Sequence, residues 1–139
     1  MSSLNALMVA IEAAMRKRDD ARQALQARVQ ASLAAQAQMD QLQDYAAQMQ
    51  QRWGAHENQA VQPEVMYHQY QFMERLSHAS NLQTKVIKDE AIRLEAAQKA
   101  LMACELRLTS LQKVVAARQR DISLAQMRRE QKQTDERAA

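Results

Sequence analysis

Large apolar residues recur every seven positions through the second half of the chain. Eight of the nine positions are large and apolar, and the row comprises Met66, Met73, Ser80, Ile87, Leu94, Leu101, Leu108, Val115 and Ile122. A second row is interleaved with it and is interrupted at Gln83, Glu90 and Arg118; its members are Leu76, Ala97, Cys104, Leu111 and Ala125. A seven-residue repeat sustained over this length predicts a long helix in a left-handed coiled coil.

The first half of the chain carries a less regular apolar row. It opens with Leu4, Met8, Ile11 and Met15 and continues at Leu25 and Val29, beyond Arg18 and Arg22. The phase then slips, and a new row runs through Ala35, Met39, Leu42, Ala46, Met49 and Trp53. We expect the slip between residues 29 and 35 to bend or locally unwind the coil, or to admit a third helix.

A single connection separates the two helical patterns. The only glycine, Gly54, is expected to close the first helix in the left-handed conformation, and the only proline, Pro63, suits the first turn of the next, followed by Glu64. The prediction is an all-α fold in one domain over residues 1–139: an antiparallel coiled-coil hairpin with helix one at about 3–53, a corner at about 54–62 and helix two at about 63–135. Since helix two is the longer, its polar part beyond about residue 115 should extend past helix one.

Charge and composition narrow the classes of function. The net charge of +3 over 139 residues is too small and too dispersed to predict nucleic-acid binding. From residue 107 to the end, eight Lys or Arg residues stand against four acids, so the predicted overhang is the basic end, which is either a binding end or simply a solvated one. A single cysteine fits a reducing compartment, and neither a secretory signal nor a membrane span is expected, so we predict a cytosolic protein.

No set of residues predicts catalysis. The three histidines, His56, His68 and His78, lack the three- or four-residue spacing that brings two imidazoles to one metal. Cys104 falls in a heptad row and is expected to be a buried small hydrophobe. A two-helix hairpin also offers little concave surface, so neither an enzyme activity nor a cofactor or metal is predicted.

The aromatic residues cluster on both sides of the corner. All five lie within about twenty residues of it: Tyr45, Trp53, Tyr67, Tyr70 and Phe72. One interpretation is an aromatic plug that holds the hairpin closed. The other is a recognition patch, because a two-stranded coil cannot bury every face of several large side chains. We expect a mixture of the two.

Three elements in this order resemble the family of the flagellar export protein FliJ. They are "QMDQLQDYAAQM", then "YQFMERLSHA" after the corner, and "RREQKQTDERAA" at the end. The resemblance implies a hairpin similar to the coiled-coil shaft of the ATP synthase gamma subunit. It also implies a cytoplasmic role in flagellum assembly, and through it in motility and chemotaxis, as a stalk in the pore of the hexameric export ATPase (FliI). That stalk would reach the membrane export gate (FlhA) and assist recycling of export chaperones.

The resemblance also implies two binding surfaces. The family's gate-binding patch falls on Gln38, Leu42, Tyr45, Phe72, Leu76 and Ala79. Met49 stands where the family usually has a second tyrosine, so a hydrophobic contact is kept there and a hydroxyl is lost. The opposite end would enter the ATPase ring, and we expect exchangeable polar contacts from Arg118, Arg120, Arg128, Arg129 and Lys132.

Two alternatives remain open at this point. One is the corresponding stalk protein of a virulence type III secretion system, which shares the architecture and the ATPase partner. The other is an unrelated coiled-coil scaffold or dimerisation module, whose heptads would pair between chains. A stalk is expected to be a monomer or weak homodimer that meets the membrane only through its partners, whereas a scaffold needs a stable oligomer.

Overall fold

The chain forms two long helices. A computed structural model describes residues 2–54 and 62–139, with the side chain of residue 2 left out, and in these ranges the elements are α1 (Ser2–Gly54) and α2 (Pro63–Ala138), with no strand. The predicted all-α fold of two long helices packed against each other is confirmed. The extent of the hairpin as one domain over residues 1–139 stays a prediction.

The ends of the helices agree with the roles expected of proline but not of glycine. Pro63 is the first residue of α2, where its missing N–H costs nothing, and the N–H groups of Val65 and Met66 donate to the Gln62 carbonyl at 3.0 and 3.1 Å. Gly54 ends α1 without a positive φ, so the predicted left-handed cap is wrong. The predicted corner, including His56, lies almost entirely outside the described residues.

Contacts divide the chain into two units. Unit 1 comprises Met1–Ala24 and Gln98–Ala139, and unit 2 comprises Leu25–Ala97. In unit 2, Trp53 contacts Phe72 and Arg28 contacts Glu90. Residues earlier in α1 therefore contact residues later in α2. The helix segments of this unit are therefore antiparallel, as predicted.

Unit 2 is packed along one unbroken row on each helix. On α1, where Ala31 is also partly buried, the row follows a strict alternation of three- and four-residue steps: Leu25, Arg28, Ser32, Ala35, Met39, Leu42, Ala46, Met49 and Trp53. On α2, where Gln69, Gln71, Phe72 and Ala79 are also partly buried, the row with this spacing is Met73, Leu76, Ser80, Gln83, Ile87, Glu90, Leu94 and Ala97. We call these positions the seam. The alternation is that of a heptad coiled coil.

The seam of unit 1 is built in the same way. Its positions on α1 are Leu4, Leu7, Ile11, Ala14, Arg18 and Ala21, and on α2 they are Leu101, Cys104, Leu108, Leu111 and Val115. Ala14, Leu108 and Val115 are buried. Arg22 and Glu105 flank this seam, with Nη2 and Oε1 4.0 Å apart.

The predicted phase slip in helix one is wrong. The seam runs from Leu25 to Ala35 without a change of phase, because Arg28 and Ser32 occupy the positions that the apolar row left empty. Val29, which the sequence placed in the row, is exposed instead. Arginine can occupy such a position because its methylene stem packs along the seam while its guanidinium reaches the rim.

Three polar side chains of unit 2 meet near the end of its seam that contains Leu25 and Ala97. Glu90 lies between Ile87 and Leu94, with Oε1 3.2 Å from Arg93 Nη1 and Oε2 3.7 Å from Arg28 Nη1. Oε2 is buried and has no hydrogen-bond partner, because the Arg28 contact is longer than a hydrogen bond. The layer therefore holds a carboxylate that is only partly compensated.

Candidate functional site

Three aromatic rings meet in unit 2 and form what we call the aromatic cluster: Tyr45, Trp53 and Phe72. Phe72 receives both other rings edge-on, with centroids 5.7 Å from Tyr45 and 6.0 Å from Trp53 and interplanar angles of 73° and 86°. Edge-to-face pairs of this kind contribute about 0.5–1.5 kcal/mol each beyond burial. Phe72 and Trp53 are half-buried, while Tyr45 is 44% exposed. The cluster thus combines a closing contact between helices with an accessible aromatic face.

An open groove lies beside this cluster. Its lining consists of Gln38, Gln41, Leu42, Tyr45 and Gln83, none of which is charged. Three of them, Gln38, Leu42 and Tyr45, belong to the six residues that the family resemblance gave for gate binding. The groove therefore offers apolar and aromatic surface edged by amide groups.

Gln41 and Gln83 line the groove, although neither was predicted from sequence to belong to a site. Gln83 stood out only as an interruption of a heptad row, yet its Nε2 donates to the Ala35 carbonyl of the other helix at 2.7 Å. That bond fixes the side chain at the seam beside the groove. The polar interruption itself was the available signal, although its partner is a backbone oxygen that no sequence pattern marks.

The remaining residues of the predicted gate patch are less accessible. Leu76 is only 8% exposed and belongs to the buried seam, and Ala79 is half-buried. Leu76 therefore supports the surface from beneath and offers little area to a partner. Met49, where the family usually has tyrosine, is also half-buried at the seam.

The other two tyrosines stand apart from the aromatic cluster. Tyr67 and Tyr70 are both exposed, and the Tyr67 hydroxyl accepts a hydrogen bond of 2.8 Å from Gln71 Nε2. The Tyr67 ring approaches the neighbouring His68 ring, and within the described residues it pairs with no ring of the cluster. The sequence predicted that all five aromatic residues lie near the corner, and in the structure three of them contact one another.

The predicted ATPase-binding cations lie on a fully exposed segment. Every residue from 118 to 139 is exposed, and we call this segment the overhang. It contains all five predicted cations: Arg118, Arg120, Arg128, Arg129 and Lys132. Within the described residues none of the five takes part in an ion pair or side-chain hydrogen bond; the bonds found here join Gln131 to Asp135 and Thr134 to the Glu130 carbonyl.

A second open groove marks the start of the overhang. Its lining is Ala116, Gln119, Arg120, Ser123 and Leu124, so Arg120 is the one predicted cation that borders it. The other four cations lie outside this lining. The structure thus distributes the predicted set along the segment and does not gather it at one point.

The histidines and the cysteine, which were considered as metal ligands or catalytic groups, do not cluster among the described residues. His68 and His78 are exposed on α2, His56 is outside the described residues, and Cys104 is a half-buried free thiol at the seam of unit 1. Over residues 2–54 and 62–139, no three His, Cys, Asp or Glu side chains come together as a metal site. In the same ranges neither helix has an apolar stretch long enough to cross a bilayer.

Comparison with known proteins gives a family for the whole chain. No curated protein and no solved structure matched it. The family model described as "Flagellar FliJ protein" matches residues 3–139, which include both helices, the aromatic cluster and the overhang. The chain therefore belongs to the flagellar FliJ protein family, whose members are non-catalytic components with a general role in flagellar protein export.

Proposed function

We propose that this protein is the stalk of a flagellar type III export apparatus, with one end for the export ATPase and another for the membrane export gate. The observation that carries the proposal is the family match over residues 3–139 on a chain with two chemically different exposed surfaces. One is the uncharged aromatic groove of unit 2, and the other is the basic overhang of unit 1. The stalk would act in the cytoplasm and meet the membrane only through its partners.

The groove is the surface we assign to the gate protein FlhA. Its lining is uncharged, and it presents Tyr45, an exposed aromatic of the kind that anchors protein interfaces. Gln38 and Gln41 can supply hydrogen bonds at its edge. Binding here should depend on buried apolar area and therefore change little with salt.

The overhang is the surface we assign to the pore of the ATPase FliI. Its cations have no partner among the described residues and are free to pair with carboxylates of another protein. Solvated ion pairs contribute only about 0–1 kcal/mol each and are weakened by salt. Such contacts can be exchanged between equivalent subunits, which suits a stalk in a ring. Assistance to export chaperones remains part of the proposal without an assigned surface.

Two-way binding titrations test this assignment. Wild type, a deletion of residues 119–139, Tyr45→Ala and Tyr70→Ala are each titrated with the purified ATPase and with the cytosolic part of the gate protein. Tyr70→Ala is the matched control, because Tyr70 is 69% exposed on α2 and lies outside the aromatic cluster. Tyr45→Ala should weaken gate binding by about 1–2 kcal/mol, and Tyr70→Ala should leave it unchanged.

The deletion should remove most of the ATPase affinity and spare gate binding. ATPase binding should also fall as salt rises, and gate binding should not. Deletion without loss of ATPase affinity would overturn the assignment of the overhang. Equal effects of the two tyrosine variants would overturn that of the groove.

The family match bears on both alternatives, the stalk of a virulence secretion system and an unrelated coiled-coil scaffold. Family membership speaks against an unrelated scaffold, and the matched family is the flagellar one. A monomer or weak homodimer stays a prediction. Sedimentation equilibrium tests it, since a tight dimer at micromolar concentration would favour pairing between chains.

A further inference from the structure

The seam of α2 continues into the overhang with its spacing intact. Beyond Leu108, Leu111 and Val115, the same alternation of three- and four-residue steps leads to Arg118, Ile122, Ala125, Arg129 and Lys132. We call these five residues the free row. All five are exposed, whereas Leu108 and Val115 are buried. The free row is thus the face on which α2 would receive another helix in the way it receives α1 within unit 1.

The chemistry of the free row differs from that of the covered seam. Ile122 and Ala125 form an apolar centre, with Arg118 before it and Arg129 and Lys132 after it. Within the described residues these three cations enter no ion pair. The next position at seam spacing is the acidic Glu136, so the cationic part of the row ends at Lys132. A helix placed here would face two apolar side chains flanked by positive charge.

A second copy of the free row is a poor occupant. Antiparallel pairing centred on Ile122 and Ala125 would set Arg118 of one copy level with Arg129 of the other. Parallel pairing in register would set each cation opposite its own counterpart. Like charges at facing positions of a coiled coil are unfavourable. Pairing between two copies of the free row is therefore disfavoured in both the antiparallel and the parallel orientation.

We propose that the free row docks one acidic amphipathic helix of a partner protein. Apolar residues of that helix would cover Ile122 and Ala125, and carboxylates at heptad spacing would face Arg118, Arg129 and Lys132. Such a helix would complement the positive charge of the free row and continue the seam spacing of α2. The proposal rests on the stalk function above in taking the overhang as the ATPase-binding end, and it adds that the cations of the row matter more than equal charges elsewhere on the segment.

The test compares two triple variants that remove the same charge from the same segment. The row variant is Arg118→Ala, Arg129→Ala and Lys132→Ala. The off-row variant is Arg120→Ala, Arg128→Ala and Arg137→Ala, whose positions do not fall at seam spacing. Alanine favours helix at every site, so circular dichroism should show both variants as helical as wild type.

Titration with the purified ATPase should separate the two variants. The row variant should bind about tenfold or more weakly than wild type, and the off-row variant should lose less than about threefold. Equal losses would overturn the free row while leaving the overhang as the ATPase-binding end. Absence of ATPase binding by wild type would overturn the stalk function. Docking of an acidic helix on the free row would then be tested separately, with a designed peptide.

The peptide probe is a designed helix of about three heptads with leucine and glutamate placed to face the free row. Its control is a peptide of the same composition in scrambled order. The heptad peptide should bind wild type and gain helicity, and the row variant should not bind it. Equal binding of the scrambled peptide would mean general charge attraction and would overturn the proposal.

Discussion

Replacing Glu90 with leucine should stabilise the protein. Glu90 occupies a seam position of unit 2 with its side chain only 13% exposed, and its Oε2 is buried without a hydrogen bond. Its two partners are both partly solvated, since the Arg28 side chain is 42% exposed and the Arg93 side chain 59%. Both guanidinium groups can therefore return to water when the carboxylate is removed.

The balance of contributions favours leucine. Two ion pairs with solvated partners account for about 0–1 kcal/mol each, and these are lost. Burying a leucine side chain contributes roughly 1.5–3 kcal/mol, and removing a desolvated, unpaired oxygen relieves roughly 1–3 kcal/mol. Together these contributions give a net gain between about 0.5 and 6 kcal/mol. Because the position of Glu90 is only partly buried, we expect the lower half of that range, about 1–3 kcal/mol in the free energy of unfolding, in line with other replacements of buried ion pairs by hydrophobic residues.

Urea unfolding followed by circular dichroism at 222 nm measures this change. With a slope of about 2 kcal/mol per molar urea, the midpoint of Glu90→Leu should rise by about 0.5–1.5 M. Glu74→Leu is the matched control, since it makes the same substitution at an exposed position of α2 and should stay within about 0.5 kcal/mol of wild type. An unchanged or lower midpoint for Glu90→Leu, with the slope and the mass in solution unchanged, would refute the account of this layer.

Three further predictions concern packing. Leu108 is 4% exposed and Leu106 is 63% exposed on the same helix, so Leu108→Ala should lower the free energy of unfolding by about 2–5 kcal/mol and Leu106→Ala by less than about 0.5; comparable urea midpoints would contradict the seam of unit 1. Phe72→Ala should shift the emission of Trp53, the only tryptophan, to longer wavelength and cost at least about 1–3 kcal/mol, the contribution of the two lost ring pairs beyond burial, whereas an unmoved spectrum would mean that the rings do not meet in solution. Deleting residues 119–139 removes only exposed side chains and should leave the unfolding midpoint of the remaining chain in place; a clear fall would show that the overhang is packed.

The helix whose seam consists mostly of large apolar residues could be predicted well from sequence. In α2, the row from Met73 to Val115 is the observed seam, although Met66 and Ile122 at its two ends are exposed. In α1, the row was drawn through the largest apolar residues, and the exposed Met8 and Met15 were chosen where Leu7 and Ala14 lie in the seam. Closely packed helices need small residues as well as large ones, so size alone misleads.

Some residues of the candidate site could likewise be predicted from sequence, and others could not. Tyr45 and Phe72 could be found because aromatic residues are few and stand out in sequence. The bond from Gln83 to the Ala35 carbonyl could not, because it depends on the register between two helices and on a backbone atom present at every residue. The exposure of the overhang could be predicted, because Gly54 and Pro63 mark the end of the first helix and the start of the second. These positions make the second helix the longer one, so that its last part has no partner in the first.

The division of contacts has a consequence for the order of folding. Unit 2 is contiguous in sequence, whereas unit 1 joins two segments that have all of unit 2 between them. Joining those segments first would mean closing a long, disordered loop, and the entropic cost of closure grows with loop length. Once residues 25–97 have paired, that loop is already closed. During synthesis on the ribosome, Leu4, Leu7 and Ile11 therefore stay uncovered until their partners in residues 98–117 have been made.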